Sequence, residues 1–189
     1  SFAYSWGHDP LFEVAEELKS ERNRIKHELG ISEKCNVILF CGRLHDEKRP
    51  FHLLDAFRRA NVPNTDLVFV GDGELRETLE AYKAEQKIES VHFAGFQNRK
   101  EIAKYYAIAD LLVLPSYRES WGIVINEAMC FGLPTIVSDQ VGAREDLVFS
   151  GYNGYCFPEG DVKALAGTIR SFFELPMEER RIMGDRSLE

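Results

Sequence analysis

The sequence lacks the long apolar runs, paired cysteines and targeting segments that mark several classes of protein. Its longest apolar stretch, from Ile108 to Pro115, is interrupted by Asp110 and is too short to cross a bilayer. No basic segment followed by an apolar run is found, so no signal peptide is expected. The four cysteines form no C-x-x-C pair, and three stand in apolar runs, which is typical of buried, unpaired thiols. These patterns predict a reducing, cytoplasmic location and no bound metal.

Basic residues are also outnumbered by acidic ones. The chain has 23 lysines and arginines against 31 aspartates and glutamates, which gives a net charge of −8. A nucleic-acid surface needs a basic stripe, so no nucleic-acid partner is expected. The hydrophobic content of 44% is ordinary for a folded protein, and 189 residues are enough for one full core. A local cluster of cations remains sufficient to bind one small anion.

Short β-branched runs alternate with helix-length amphipathic segments along most of the chain. The runs are continuously apolar, as expected for parallel strands covered on both faces. The predicted strands are Asn36–Cys41, Asp66–Val70, Ser90–Ala94, Asp110–Leu114, Leu133–Val137 and Gly154–Phe157. The predicted helices between them are Pro50–Asn61, Glu74–Lys87, Arg99–Ile108, Trp121–Gly132 and Val162–Leu175, with caps at Asn98 and Asp161. The alternation predicts an α/β fold, a Rossmann-like open parallel sheet with helices on both faces.

The segment ahead of the first strand has a different character. Phe12–Leu29 is predicted to be a charged amphipathic helix and a solvated side element. Ser1–Pro10 carries Phe2 and Trp6 without partners in its own segment, which indicates a linker that packs against something else. We therefore divide the chain into a linker with its helix, residues 1–30, and one Rossmann-like domain, residues 31–189.

Ligands of open α/β sheets bind beyond the carboxyl ends of the strands, so the loops there carry the candidate residues. After the first strand, Gly42 relieves the turn, while Arg43 and Lys48 place cations near a helix N-terminus. Such cations suit a phosphate or diphosphate. A solvated charged loop explains the same residues, since Asp46 and Glu47 stand between the two cations.

The next two loops carry weaker signals. After the second strand, Gly71 and Gly73 let the backbone approach a ligand closely, although a tight strand-to-helix turn explains them equally well. They do not form a dinucleotide fingerprint, because Arg76 stands where the third glycine would be. After the third strand, Gly95 and Phe96 leave backbone groups for a base edge, or form a simple turn.

The loop after the fourth strand gives the sharpest signal, because it leads into a helix that is apolar almost all round. Glu127 lies about a turn and a half into that helix, where a buried carboxylate must face a cation or ligand hydroxyls. Glu119 precedes the same helix, so the two carboxylates bracket its N-terminus and can hydrogen-bond a polyol. The backbone N–H groups of Gly122, Ile123 and Val124 suit an anion. Two structural salt bridges remain the alternative for the carboxylates.

Taken in order along the chain, these motifs resemble those of the retaining glycosyltransferases of family 4, which have the GT-B fold. The matching residues are Gly42-Arg43 with Lys48, Val70–Gly73, Gly95-Phe96, Ala109–Ser116, Glu119 with Glu127 (E-x7-E), Glu127–Pro134, Ser138-Asp139, and Gly151 with Gly154 and Phe157. The match covers about Asn36 to Phe173, which corresponds to the C-terminal, donor-binding domain of that family.

The resemblance implies a role for each candidate residue. Arg43 and Lys48 would neutralise the donor diphosphate, and Glu119 would hold the sugar hydroxyls; these three are the catalytic candidates. Glu127 would hold the ribose hydroxyls. Further donor-binding positions would be Gly42, Gly71, Gly73, Phe96, Trp121, Gly122, Ile123 and Val124. Trp121 stands where phenylalanine is commoner in the family, which puts the shape of the sugar subsite in question.

The resemblance also implies the reaction and the partners. The reaction is transfer of a hexosyl-type sugar, with retention, from a nucleotide diphosphate sugar to a glycan, lipid or small-molecule acceptor, without cofactor or metal. An N-terminal acceptor-binding domain would be absent from this chain, so the fragment alone is expected to be inactive. The full-length protein is expected in the cytoplasm, with peripheral association at the inner face of a membrane left open. Two alternatives remain: a sugar-nucleotide epimerase of the same fold, and a non-catalytic nucleotide-binding α/β module.

Overall fold

The computed structural model describes residues 10–189, which form an open sheet with helices on both faces. The strands are β1 (Asn36–Cys41), β2 (Thr65–Val70), β3 (Val91–Gly95), β4 (Leu111–Leu114), β5 (Thr135–Ser138) and β6 (Gly154–Phe157). The helices are α1 (Pro10–Ser20), α2 (Arg22–Glu28), α3 (Pro50–Ala60), α4 (Arg76–Glu85), α5 (Arg99–Ile108), α6 (Ile123–Cys130), α7 (Arg144–Leu147), α8 (Val162–Glu174) and α9 (Met177–Ser187). The predicted linker, apart from its last residue, lies outside the described residues.

The sheet is parallel throughout and has the strand order β3-β2-β1-β4-β5-β6. This confirms the predicted Rossmann-like fold. The chain first moves outward from β1 to β3 and then returns to place β4 on the other side of β1. The loops after β1 and β4 therefore diverge and leave a crevice at the carboxyl edge of the sheet, as in other open α/β folds.

Two hydrophobic layers hold the sheet, one on each face. Successive residues of β1 point to opposite faces, so Val37 and Leu39 enter one layer while Ile38 and Phe40 enter the other. The first layer is completed by α1, α2, α5 and α6, and the second by α3, α8 and single side chains of α4 and α9. Because both faces are covered, β4 and β5 are buried along their whole length.

The prediction of one solvated helix over Phe12–Leu29 is wrong. The segment forms two helices, α1 and α2, with a break at Glu21, and both pack on α5. Ala15 and Ile25 are buried in the first hydrophobic layer. Even Lys26 is buried, and its ammonium donates to the Cys35 carbonyl at 2.5 Å. Burial, reinforced by the charge of Arg22, lowers the pKa of Lys26.

Other details follow from local backbone chemistry. Asn98 and Asp161 cap α5 and α8 as predicted, each accepting backbone N–H groups of the first turn. The short helix α7 and the last helix α9 were not predicted. The four cysteines are unpaired, as predicted, and Cys41 and Cys130 are buried. Among residues 10–189, no helix is both long and apolar enough to span a bilayer.

Candidate functional site

The loop after β1 (residues 42–49) and the loop after β4 (residues 115–122) contact each other where the strand order reverses. We call the space that they border the switch-point crevice. The backbone N–H of Tyr117 donates to the Glu47 carbonyl at 2.9 Å. The Arg49 guanidinium lies 4.8 Å from the centre of the Tyr117 ring. Lys48 Nζ and Glu119 Oε2 form an ion pair. These contacts bring the predicted catalytic cation and carboxylate together, although they are 71 positions apart in the sequence.

The ion pair between Lys48 and Glu119 is largely shielded from solvent, with side chains 19% and 17% exposed. A short 3-10 helix over Asp46–Lys48 presents the lysine. The backbone of Glu119 is fixed by a bridge to Val141, where the Gly142 N–H donates to the Glu119 carbonyl at 2.9 Å. The sequence indicated a diphosphate for the lysine and sugar hydroxyls for the carboxylate. In the structure each instead satisfies the other, so a ligand that engages either one must separate the pair.

Arg43 is an exposed cation of the crevice. Its side chain makes no hydrogen bond or ion pair with any residue in the part of the chain that the structure describes. Its backbone is nonetheless fixed, because the next residue, Leu44, donates to the Asp72 carbonyl at 2.9 Å and accepts from the Leu75 N–H at 3.0 Å. Arg43 is therefore anchored through its backbone at the carboxyl edge of β1, and the five donors of its guanidinium are available to a ligand.

Gly71 and Gly73 are needed for packing between loops. A Cβ at Gly71 would lie 1.9 Å from the Gly42 carbonyl oxygen, and a Cβ at Gly73 would lie 2.5 Å from the Leu44 carbonyl oxygen. The loops after β1 and β2 can approach this closely only if both positions lack a side chain. The sequence left ligand approach and a tight turn as explanations of these glycines, and the structure adds a third, close contact between two loops.

The N-terminus of α6 faces the same edge with free donors. Gly122 caps the helix with φ 95°, a left-handed conformation that favours glycine. Within residues 10–189, the N–H groups of Gly122, Ile123 and Val124 have no acceptor, and the first bond of the turn runs from Ile125 N to the Gly122 carbonyl at 2.9 Å. Free N–H groups and the helix dipole together make this terminus a site for a negative charge.

Glu127 is half-buried in α6 and accepts a hydrogen bond from the Tyr106 hydroxyl at 2.8 Å. The sequence predicted a cation or ligand hydroxyls opposite this carboxylate, and a protein hydroxyl is found there. Tyr106 was missed, because an aromatic residue in the apolar run before β4 has the same sequence signal as a core residue. Burial raises the pKa of the Tyr106 phenol well above its ordinary value, so the phenol stays a hydrogen-bond donor.

Two aromatic candidates are exposed at the carboxyl edge of the sheet. Phe96 directly follows β3 and is 79% exposed. Trp121 is 42% exposed, and its indole N–H donates to the buried Asn126 side chain at 3.0 Å, which fixes the ring at the entrance to α6.

In residues 10–189, no group of three or more histidine, cysteine, aspartate or glutamate side chains is arranged to hold a metal ion.

Residues 21–188 match the family model described as Glycosyl transferases group 1. The chain belongs to this family. It is 31% identical over 173 residues to the N-acetyl-alpha-D-glucosaminyl L-malate synthase of Bacillus anthracis. The matched region covers 90% of this chain and 44% of that protein. It is also 31% identical over 174 residues to the sulfoquinovosyl transferase SQD2 of Arabidopsis thaliana, covering 90% of this chain and 32% of that one. This group 1 glycosyltransferase chain thus spans less than half the length of both relatives.

Solved structures of other proteins share the fold. The Anabaena protein HepE in complex with UDP-glucose matches with a TM-score of 0.78 and 27% identity, over 89% of this chain and 47% of that one. WaaG, a glycosyltransferase involved in lipopolysaccharide biosynthesis, matches with a TM-score of 0.80 and 24% identity, over 95% of this chain and 49% of that one. The resemblance to GT-B glycosyltransferases predicted from the motifs is confirmed.

Proposed function

We propose that this chain is the donor-binding domain of a retaining glycosyltransferase and that the switch-point crevice binds a nucleotide diphosphate sugar. One observation carries the proposal: Arg43 and the first N–H groups of α6, which have no partner among residues 10–189, lie at one sheet edge with two carboxylates. The first two features suit a diphosphate, and the carboxylates suit sugar and ribose hydroxyls. The similarity to HepE, solved with UDP-glucose, supports the same class of ligand.

In this proposal the diphosphate is held by Arg43, Lys48 and the N-terminus of α6. Negative charge develops on the departing diphosphate during transfer, so fixed cations and N–H groups that face it lower the barrier. Lys48 must leave Glu119 to reach the phosphates. That exchange releases the Glu119 carboxylate for the donor sugar hydroxyls, so the resting ion pair couples diphosphate binding to the sugar subsite.

The remaining donor contacts follow the order of the loops. Glu127, on α6, takes the ribose hydroxyls, and backbone groups next to Phe96, beyond β3, take the base. Trp121, fixed by Asn126, borders the sugar beside Glu119. The glycines at positions 42, 71 and 73 keep the loops close enough for this arrangement.

The rest of the reaction belongs to the parent protein. We propose an N-terminal acceptor-binding domain, a hexosyl-type donor sugar, and a glycan, lipid or small-molecule acceptor. We further propose transfer without a metal, in the cytoplasm, with the parent protein able to associate peripherally with the inner face of a membrane. Without the acceptor domain the site is open to water and holds one substrate, so the fragment alone is expected to be inactive.

A ligand screen on this chain tests the proposal. UDP-, GDP- and ADP-sugars and the free nucleoside diphosphates are added one at a time, and the midpoint of thermal unfolding and the dissociation constant are measured. We expect one base series to bind and to weaken as salt rises, because the diphosphate contacts are ionic. If none of the three series binds, the proposal is wrong. Sugar transfer by the chain alone, at the rate of the parent protein, would contradict its assignment as half of an enzyme.

A further inference from the structure

Tyr106 lies beneath the switch-point crevice, at the meeting point of three elements. It belongs to α5, its fully buried ring stacks on Phe131 at 5.6 Å between centroids, and the planes are inclined by 23°. Its hydroxyl reaches Glu127 Oε2, on α6, at 2.8 Å. Cys41, at the carboxyl end of β1, lies near enough to the same hydroxyl for each group to affect the pKa of the other. The phenol links α5 to α6, the helix that borders the crevice.

We infer that Tyr106 is a positioning residue that holds the Glu127 carboxylate in the orientation needed to recognise the ribose of the donor. The inference rests on the proposed function, which gives Glu127 the ribose. It adds that recognition depends on a residue which itself does not touch the ligand.

The geometry explains why a phenol is suited to this role. A glutamate has three side-chain torsions, and a carboxylate that samples several of them binds a diol weakly. The Tyr106 ring is immobilised by burial and by Phe131, so its hydroxyl is a fixed donor to one carboxylate oxygen. A carboxylate anchored through one oxygen and oriented in advance loses less freedom when the ribose binds.

The surroundings keep this hydrogen bond in one direction. Burial raises the pKa of both the Tyr106 phenol and the Cys41 thiol, so both stay protonated and neutral. The phenol has one proton, which it donates to Glu127. The hydrogen bond therefore runs from the Tyr106 hydroxyl to the Glu127 carboxylate.

Removal of one oxygen atom tests the inference. Tyr106→Phe keeps the ring and its packing and deletes the hydrogen bond. Tyr105→Phe is the matched control, because Tyr105 is the neighbouring buried tyrosine of α5 and has no hydrogen bond to Glu127. For each protein, the dissociation constants of UDP, GDP and ADP are compared with those of the 2′,3′-dideoxy compounds. The preference for ribose over dideoxyribose is the readout, because a general loss of stability does not change it.

The expected preference in the unmodified chain is about 10- to 100-fold, the scale of hydrogen bonds to a charged group. It should collapse in Glu127→Gln, fall by roughly 3- to 10-fold in Tyr106→Phe, and stay unchanged in Tyr105→Phe. A Tyr106→Phe protein with the full ribose preference would overturn the positioning role and leave the proposed function standing. An unmodified chain that binds a nucleoside diphosphate without ribose preference would overturn both the inference and the role given to Glu127. Circular dichroism melting confirms that each variant is folded.

Discussion

Arginines lie at both edges of the sheet, and three at the amino edge are engaged by other residues of the protein. Arg22 donates to the Ala107 and Ala109 carbonyls and pairs with Asp110 at 2.8 Å. The neighbouring α9 arginines are engaged as well, Arg180 by Asn36 and Arg181 by Glu178 and Asp185. The three arginines line a cavity of about 430 Å³. At the carboxyl edge, by contrast, Arg43 and the first N–H groups of α6 have no acceptor among residues 10–189.

The difference shows that charge and cavity volume alone do not identify a ligand site. A cation whose donors are satisfied by carbonyls and carboxylates stabilises the fold, because its solvation has already been replaced. A cation on a fixed backbone with unsatisfied donors contributes little to folding and is available to an anion. The two edges should therefore respond in opposite ways to the loss of an arginine.

The largest effect on stability is expected where the loop after β2 packs against the loop that carries Arg43. Gly71→Ala would place a Cβ 1.9 Å from the Gly42 carbonyl, at φ 132°. We expect the free energy of unfolding, measured with urea, to fall by roughly 2–4 kcal/mol and nucleotide binding to weaken with it. Gly167→Ala is the control, because that exposed glycine of α8 has open space around it. It should raise stability by about 0.5–1 kcal/mol. Equal stability of the two variants would show that the loops after β1 and β2 are not tightly packed.

Removal of an amino-edge arginine should affect folding and not ligand binding. Arg22→Ala deletes two bonds to carbonyls and leaves Asp110, which also accepts from the Val37 N–H, without its cation. We expect the free energy of unfolding to fall by about 2–3 kcal/mol, with the nucleotide dissociation constant unchanged. Arg181→Ala removes a side chain that is 62% exposed and should leave stability nearly unchanged. Weaker nucleotide binding in Arg22→Ala would break the contrast between the edges.

Removal of the carboxyl-edge arginine should have the reverse effect. Arg43→Ala is expected to weaken nucleoside diphosphate binding by about 1.5–3 kcal/mol, because charge-assisted hydrogen bonds are lost. Its free energy of unfolding should stay within about 0.5 kcal/mol of the unmodified chain. Lys34→Ala removes the same charge from an exposed loop before β1 and should bind normally. Titration calorimetry and urea unfolding measure both quantities, and unchanged affinity in Arg43→Ala would remove its phosphate role.

A surface cluster on α3, in which two arginines pair with one aspartate, gives the smallest effect. Burial alone would raise the pKa of Asp55, but hydrogen bonds from Arg59 and Arg58 outweigh it and hold the pKa below its ordinary value. The folded-state pKa is the lower one, so the stabilisation is present above the unfolded pKa of about 3.9 and is lost as pH falls through the folded value. Asp55→Asn should lower the free energy of unfolding by about 0.5 kcal/mol at pH 7, and the difference should shrink steadily at acid pH. A difference that grows on acidification would contradict this sign.

Strands were predictable where an apolar run has clear boundaries. The predicted bounds of β1 and β6 agree with the structure to the residue. The start of β5 was placed two residues early, because the Leu133 N–H still belongs to the end of α6, where it donates to the Ala128 carbonyl at 3.1 Å. The start of α6 was placed early as well, since Gly122 adopts φ 95° and cannot continue a right-handed helix. In both cases a backbone bond or torsion, and not hydrophobicity, sets the boundary.

The candidate site was found because its residues follow strands, and parallel strands bring their carboxyl ends to one edge. Partners were harder to predict. The pairing of Lys48 with Glu119 depends on where two loops that are distant in the sequence meet, and no local sequence pattern predicts that contact. The burial of Lys26 was missed for a related reason: a lysine on a charged helix has the sequence signal of a solvated face, and only tertiary packing reveals the Cys35 carbonyl that receives it.

The indole of Trp121 also makes the chain its own optical probe. It is the one tryptophan among residues 10–189, it is partly exposed at the entrance to α6, and its N–H is anchored to Asn126. A ligand that covers the ring or displaces this bond changes the polarity around it, and tryptophan emission shifts with polarity. In a Trp6→Phe background the fluorescence would come from this position alone. Ligand occupancy of the proposed sugar subsite could then be followed in real time without a label.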